Sequence, residues 1–239
     1  MGAQAARPER DAPPAHAHAR PAGGPAAAGY SNYGYYKLQK KYPVTFLELD
    51  ASPVVTAYMI DHRYMPQPIR FAQILLDPDV YVISAAVPKT HDRAVATLAL
   101  KNVAVGGPIK EPGSGGRRGR SYKPITHGGK DNAGIHFNLF TLAKLAPPDL
   151  AVLDGYQAME GNGPVGGTAV DHKIAVASAD WLAADRVALE LMGIDFAKVG
   201  YLTLCARHGL GQGDLARIAV KGEQVTDHVR PYRLHKSIE

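Results

Sequence analysis

Cysteine is almost absent from this 239-residue chain, which carries Cys205 and no other. A single thiol excludes an intrachain disulfide and any cysteine-ligated iron–sulfur cluster within the chain. Its setting between apolar neighbours, with Leu202 and Leu204, reads as a buried, inert thiol. Long hydrophobic runs are missing as well: none approaches the roughly 20 residues needed to span a bilayer. The N-terminus has neither the apolar core of a secretory signal nor a Ser or Thr at position six for myristoylation. The expectation is a cytoplasmic protein with no membrane role. Also lacking are a Gly-x-Gly-x-x-Gly turn between strand and helix, a phosphate loop ending in Gly-Lys-Ser/Thr, a His-Glu-x-x-His and a Gly-x-Ser-x-Gly elbow. Gly209, Gly211 and Gly213 follow a helical stretch, the wrong context for a dinucleotide fingerprint.

What is present suffices for one sizeable core, with 46% hydrophobic residues. Residues 1–29 are rich in Ala, Pro, Arg, Gly and His without apolar periodicity, and read as a disordered arm in which His16 and His18 are merely solvated. Residues 30–225 read as one α/β domain and 226–239 as a polar, basic tail. The net charge of +5 is unevenly placed: between Val103 and Ile135 six basic residues stand against Glu111 and Asp131. This stretch is long for a loop, and three readings are open for it: plain mobility, a lid over an anionic ligand, and weak nucleic-acid binding, with mobility ranked first.

Val80–Val87, Leu150–Leu153 and Ile174–Ser178 are short apolar runs expected to be buried strands. Gly155 is expected to end the second. Val44–Asp50 alternates toward a strand, and Ala216–Val220 reads as a last one. Helices are expected over Ser31–Tyr42, Ile69–Leu76, Arg93–Asn102, Phe137–Leu145, Trp181–Met192, with Asp180 as N-cap, and Phe196–Ala206. Strands alternating with helices predict an α/β fold with a mostly parallel sheet flanked by helices; a strand-rich α+β arrangement is the fallback.

In a parallel sheet the carboxyl ends of the strands share one edge, where ligands bind. Lys89, Thr90 and His91 follow the first strand, Asp154 the second, and Ser178 and Asp180 the third. A Gly-rich turn carrying Glu160, Asn162 and Gly163 follows Asp154. His91 is the candidate for proton transfer, because it is the one side chain of the set that titrates near neutrality. Lys89 and Thr90, near an expected helix N-terminus, would hold an anion such as carboxylate or phosphate. Asp154 and Glu160 would orient His91, act as partner acid or base, or hold a divalent cation through their oxygens. The competing reading of Lys-Thr-His is a cap with two solvated side chains, and of the Gly-rich turn an ordinary loop. Lys101 and Asn102 complete the ligand-binding candidates, although a helix from Arg93 would set Lys101 about 15 Å from His91. Asp185 lies in the apolar stripe of its helix, where a carboxylate must be bonded; a structural tie is favoured over ligand contact.

Pro88-Lys-Thr-His91, Thr97-Leu-Ala-Leu-Lys-Asn102, Asp154-Gly-Tyr-Gln-Ala-Met-Glu-Gly-Asn-Gly-Pro164 and Ala177-Ser-Ala-Asp180 with Asp185 resemble the domain-of-unknown-function family DUF362, from about Phe46 to Val220. The resemblance implies little about activity, since members are mostly uncharacterised. Many carry ferredoxin-type cysteine clusters or twin-arginine export signals, and neither is present here. Members usually begin with a further strand–helix unit, a place taken here by the Ala/Pro-rich arm. The resemblance therefore implies a truncated or divergent member, with two alternatives open: a partner subunit supplies the missing piece, or the protein is not active. The leading functional expectation is an enzyme acting by acid–base chemistry on a small anionic ligand. The alternatives are a non-catalytic binding or electron-transfer module beside an iron–sulfur partner, and weak nucleic-acid binding through residues 103–134.

Overall fold

The computed structural model describes residues 25–111, 119–128 and 131–238. The expected disorder of residues 1–24, and the arginine-rich centre of the basic loop at 112–118, lie outside the described residues. Residues 25–29 belong to helix α1 (Pro25–Asn32), which is tied down where the Ala26 N–H meets Glu48 Oε2 and the Tyr30 hydroxyl donates to the Leu47 carbonyl. A 3-10 turn at Tyr35–Lys40 follows. Val44–Asp50 forms no named strand. The first ladder is instead β1 (Val54–Ile60) against β2 (Pro66–Ala72), antiparallel from Val54↔Ala72 to Ile60↔Pro66. The helix expected over Ile69–Leu76 is thus half strand, with a 3-10 turn only at Gln73–Leu76. Ile69 and Phe71 alternate with exposed neighbours along β2, the period of a half-buried strand.

The central sheet contains β3 (Ile83–Ala86), β4 (Lys89–His91), β5 (Val95–Thr97), β8 (Leu150–Glu160) and β9 (Thr168–Ser178). β3 and β4 run in turn along one edge of β8, both parallel to it, with Ala86↔Leu153 and Lys89↔Met159 as registers. β9 lies on the other edge and is antiparallel, from Ala151↔Ser178 to Glu160↔Thr168, and β5 folds back antiparallel on β4. The sheet is mixed, and its longest pairing is antiparallel, which corrects the expectation of a mostly parallel sheet. The cause is that β8 does not stop at Gly155. It passes through an irregularity between Gly155 and Gln157 and continues to Glu160, leaving only residues 161–167 to reach β9. A parallel neighbour needs a crossover of about a dozen residues or more, so a link this short returns the chain antiparallel.

One face of the sheet is covered by α2 (Ala99–Gly106) and α5 (Trp181–Leu191), with α4 (Asn132–Leu145) and α6 (Gly200–Arg207) packed beyond them. Leu153, Leu139, Leu182 and Leu202 are fully buried there, each contributing about 1.5–3 kcal/mol relative to exposure. The other face is open: β3 alternates exposed and buried residues, and Ile83 and Tyr156 stand in solvent. Between α2 and α4 the chain forms a two-residue ladder, β6 (Lys110–Glu111) with β7 (Arg120–Ser121), and the single-turn helix α3 (Lys123–Thr126). After α6, Ala216–Val220 is not a strand; Leu215–Arg217 is one 3-10 turn and Val225–His228 another. The final residues return to the domain, with Arg230 N–H on the Leu191 carbonyl and Tyr232 N–H on that of Met192.

Candidate functional site

The site begins with a hairpin that the Ala-rich composition of Arg93–Asn102 conceals. After β4 the chain turns at residues 92–94 and returns as β5, with His91↔Val95 and Lys89↔Thr97 opposed. His91 builds the turn: its Nδ1 lies 3.1 Å from the backbone nitrogens of both Arg93 and Ala94. Asp92 Oδ1 also approaches Nδ1, at 2.8 Å. One ring nitrogen cannot accept two N–H groups and donate to a carboxylate at once. The two amides are fixed by the backbone, whereas the Asp92 side chain is 43% exposed and free to rotate. We therefore assign Nδ1 as acceptor and place the imidazole proton on Nε2. Val95 closes the turn at φ 66, a left-handed conformation that a β-branched residue adopts at a cost of about 1–3 kcal/mol.

Because the chain doubles back, α2 starts at Ala99 and Lys101 falls beside the residues that a continuous helix would have left behind. The expected separation from His91 is corrected accordingly: Lys101 lies close enough for its charge to act on the imidazole. α3 delivers His127, whose ring stacks on that of His91 with centroids 6.0 Å apart and planes 21° from parallel. Lys89, His91, Lys101 and His127 thus form a basic cluster, with His235 from the C-terminal segment also facing His91. Burial, then Lys101, His127, Lys89 and His235, push the His91 imidazole down to about 3. Burial and then Lys101 also hold His127 below the usual histidine range. Both rings are neutral at physiological pH; the single N–H of His127 is engaged by the Lys123 backbone, which leaves the His91 Nε2 proton as the imidazole donor of the cluster. Burial, with Lys89 next, lowers the Lys101 ammonium to about 8, against the opposing pull of Asp92. Lys101 is 5% exposed, and no described hydrogen bond or ion pair involves its Nζ. On the same hairpin, buried Thr97 Oγ1 has no hydrogen-bond partner.

The other expected site residues separate into those held near this cluster and those placed elsewhere. Thr90 is buried, and its hydroxyl donates to the Gly161 carbonyl at 2.8 Å. Gly163 sits directly on β4, since a Cβ there would be 2.0 Å from the Thr90 carbonyl oxygen. The Gly-rich turn therefore does meet Lys-Thr-His, through backbone contacts, while Asn162 is exposed. Glu160 is engaged by the C-terminal segment: Oε2 accepts the Arg233 N–H at 3.1 Å and Oε1 lies 3.6 Å from its guanidinium. Asp154 is opposite Ala175 in mid-strand, exposed on the open face, and its Oδ1 accepts the Tyr156 N–H. Six positions of extended chain separate it from Glu160, roughly 20 Å, so the two carboxylates do not share a cation and Asp154 does not orient His91. Among the described residues no cluster of three or more His, Cys, Asp or Glu could hold a metal ion.

Asp180 lies at the far end of the sheet, since β9 ends opposite the start of β8. It caps α5 through the Ala183 N–H and ties the 209–213 turn through the Gln212 N–H. Asn102 is committed to β3, donating to Ser84 Oγ and the Ala85 carbonyl. Asp185, fully buried, accepts the N–H groups of Ala99 and Leu100 at 2.8 and 3.2 Å. The helix N-terminus expected beside Lys89 and His91 is a hairpin instead, and at the actual start of α2 the Asp185 carboxylate already occupies the first amides. Burial pushes Asp185 up to about 7, opposed by the two N–H donors, and its charge adds to the burial that raises Cys205 to about 12. His127 is hidden in the sequence because only the turn built by α3 brings it to His91. The signal available is a histidine followed by Gly128 and Gly129.

The thylakoid-associated protein sll1697 of Synechocystis is 29% identical to this chain over 194 residues, covering 80% of the chain. The chain spans 54% of that relative's length, about half. No solved structure matches. No described helix is long and apolar enough to cross a membrane. The DUF362 profile, a domain of unknown function, matches residues 15–190, and the chain accordingly belongs to the DUF362 family.

Proposed function

We propose that this chain binds a small carboxylate or phosphate within the basic cluster and moves a proton there. The observation that carries the reading is Lys101: a lysine residue 5% exposed, whose ammonium has no described hydrogen-bond or ion-pair partner. Burying a charge without a partner costs several kcal/mol, and a ligand anion supplies the partner that the fold withholds. Lys89 adds a second positive charge. The neutral imidazole of His91 donates an N–H without needing protonation, while that of His127 is held by the Lys123 backbone.

The proton-transfer role passes from His91 to Lys101. A base whose conjugate acid titrates at about 3 is too weak to abstract a proton near neutrality, whereas a lysine at about 8 is poised for it. Glu160 positions the C-terminal segment across the cluster, and Thr90 and Gly163 lock the acidic turn to β4. Cytoplasmic residence is part of the proposal; the thylakoid association of the relative makes a membrane-surface location the alternative, which cell fractionation separates.

Isothermal titration calorimetry with inorganic phosphate, acetate and pyruvate tests the reading. Binding to the wild type that is lost in Lys101→Met and weakened about tenfold or more in Lys89→Met supports it. Equal heats in wild type and both variants would refute it.

A further inference from the structure

The Lys101 amine can do more than carry charge, and the inference that follows rests on the anion-binding reading above. A lysine becomes a nucleophile toward carbonyls when it is withdrawn from water and placed beside a second cation, since both favour the free amine. Lys101 satisfies both conditions by position. It is buried in the first turn of α2, unpaired, and Lys89 from the facing hairpin exerts the largest charge effect on it. The neutral His91 imidazole, stacked on His127, stands against the same group with its Nε2 proton. A carboxylate ligand needs cations, an oxyanion formed from a carbonyl needs neutral N–H donors, and a carbonyl carbon needs an amine. One small molecule makes all three demands.

We propose that Lys101 captures a 2-oxo acid as an imine, with the carboxylate held by Lys89 and the carbonyl oxygen facing the His91 N–H. The uncharged Nζ attacks the carbonyl carbon, a C–N bond forms, and the C=O π pair moves onto oxygen. The added nitrogen gives a proton to that oxygen, leaving a neutral carbinolamine. The nitrogen lone pair then expels hydroxide, which takes a proton from solvent and departs as water. The product is a protonated imine, and the balance is one amine, one carbonyl and one proton giving one iminium and one water. No oxidant or reductant is consumed. Such an imine withdraws electrons from the adjacent carbon, which places this site in the class of proton-abstraction or decarboxylation chemistry next to a carbonyl.

Incubation of the full chain with pyruvate and sodium cyanoborohydride, followed by peptide mass spectrometry, reads the imine directly, because reduction fixes it as a stable secondary amine. The expected result is a saturable adduct on the peptide containing Lys101, absent with lactate and at least tenfold reduced by excess lactate as competitor. Lys101→Arg, which keeps the cation, should abolish the adduct. An adduct spread evenly over exposed lysines, or none at all, overturns the imine. Lactate binding by calorimetry separates the two levels. Lactate bound without any pyruvate adduct leaves the anion site standing and removes the imine, whereas neither binding nor adduct removes both. Mapping on the wild type needs no variant to fold.

Discussion

The rings of His91 and His127 stack face to face, 6.0 Å between centroids, although 36 positions of sequence separate them. Two imidazoles so placed, with Lys101 and Lys89 beside them, cannot both take a proton without strong repulsion, which fixes the acid response of the fold. His91 titrates at about 3 in the folded chain against an ordinary histidine value of 6.5, and burial also lowers His136 to about 4. The folded state therefore binds fewer protons than the unfolded state between these values, and stability rises with pH across the window. Thermal melts should show full stability from these groups above about pH 6.5, lost progressively as pH falls toward 3. His91→Asn keeps an acceptor for the Arg93 and Ala94 amides and should flatten this limb; an unchanged acid limb would contradict the assignment.

Lys101→Met should separate stability from binding. The buried ammonium is held at a cost, so its apolar replacement should raise stability on the order of 1–3 kcal/mol at pH 7. Chemical denaturation measures the gain, and calorimetry the accompanying loss of phosphate binding. A variant that loses stability would show that Nζ has a strong partner in the folded protein.

Asp185 supplies the cap on which α2 depends. Asp185→Ala leaves the Ala99 and Leu100 N–H groups buried and unpaired, a cost of about 2–4 kcal/mol. The pH sign is opposite to that of the histidines. With its folded value raised from 3.8 to about 7, its contribution is complete below about 4 and is lost as pH rises through 7. Melts of wild type and Asp185→Asn between pH 4 and 9 should differ in slope in that range. Parallel curves would contradict the raised value.

Gly163 and Gly166 belong to one turn and should respond differently to alanine. At Gly163 a methyl would strike the Thr90 carbonyl oxygen at 2.0 Å, a backbone atom with nowhere to go. Gly163→Ala should cost at least about 2 kcal/mol and weaken anion binding by shifting β4. At Gly166 the nearest atom is Asn162 O at 3.2 Å, and alanine there should cost no more than about 0.5 kcal/mol. Equal losses would mean that the turn does not seal β4.

The returning C-terminal segment crosses the cluster by Arg233 on Glu160 and by Ser237 Oγ on the Asp92 carbonyl. Ending the chain after Thr226 should expose His91. Diethyl pyrocarbonate labelling read by mass spectrometry should rise severalfold at His91 and little at exposed His62. Unchanged labelling would mean that the segment does not cover His91.

Sequence and structure part at particular residues. Periodicity and capping reveal α5 with Asp180, the body of α4, and the β3 core, because those signals are local. Gly155 reads as a stop and is not one, since glycine marks an irregularity inside a strand as readily as its end. The 20-residue loop that a stop there implies before Ile174 is itself evidence against that reading. Ala and Leu in 94–100 mimic a helix, and only a side chain, His91 Nδ1 on two amides, turns them into a hairpin. Of the site, Lys89, His91 and Lys101 are legible as residues, whereas their proximity is not, and His127 needs the tertiary turn through α3. The acidic partners expected from spacing, Asp154 above all, are displaced by the continuation of β8.

A titration of Lys101 itself bears most directly on the anion site. Lysine side chains labelled with carbon-13 at Cε, with Lys101→Arg to assign the resonance, report Nζ protonation by nuclear magnetic resonance. Without ligand, Lys101 should titrate near 8, and saturating phosphate should move that value upward by a unit or more, since a bound anion favours the ammonium. A Lys101 resonance that titrates near 10.5 and ignores phosphate would contradict the existence of the site.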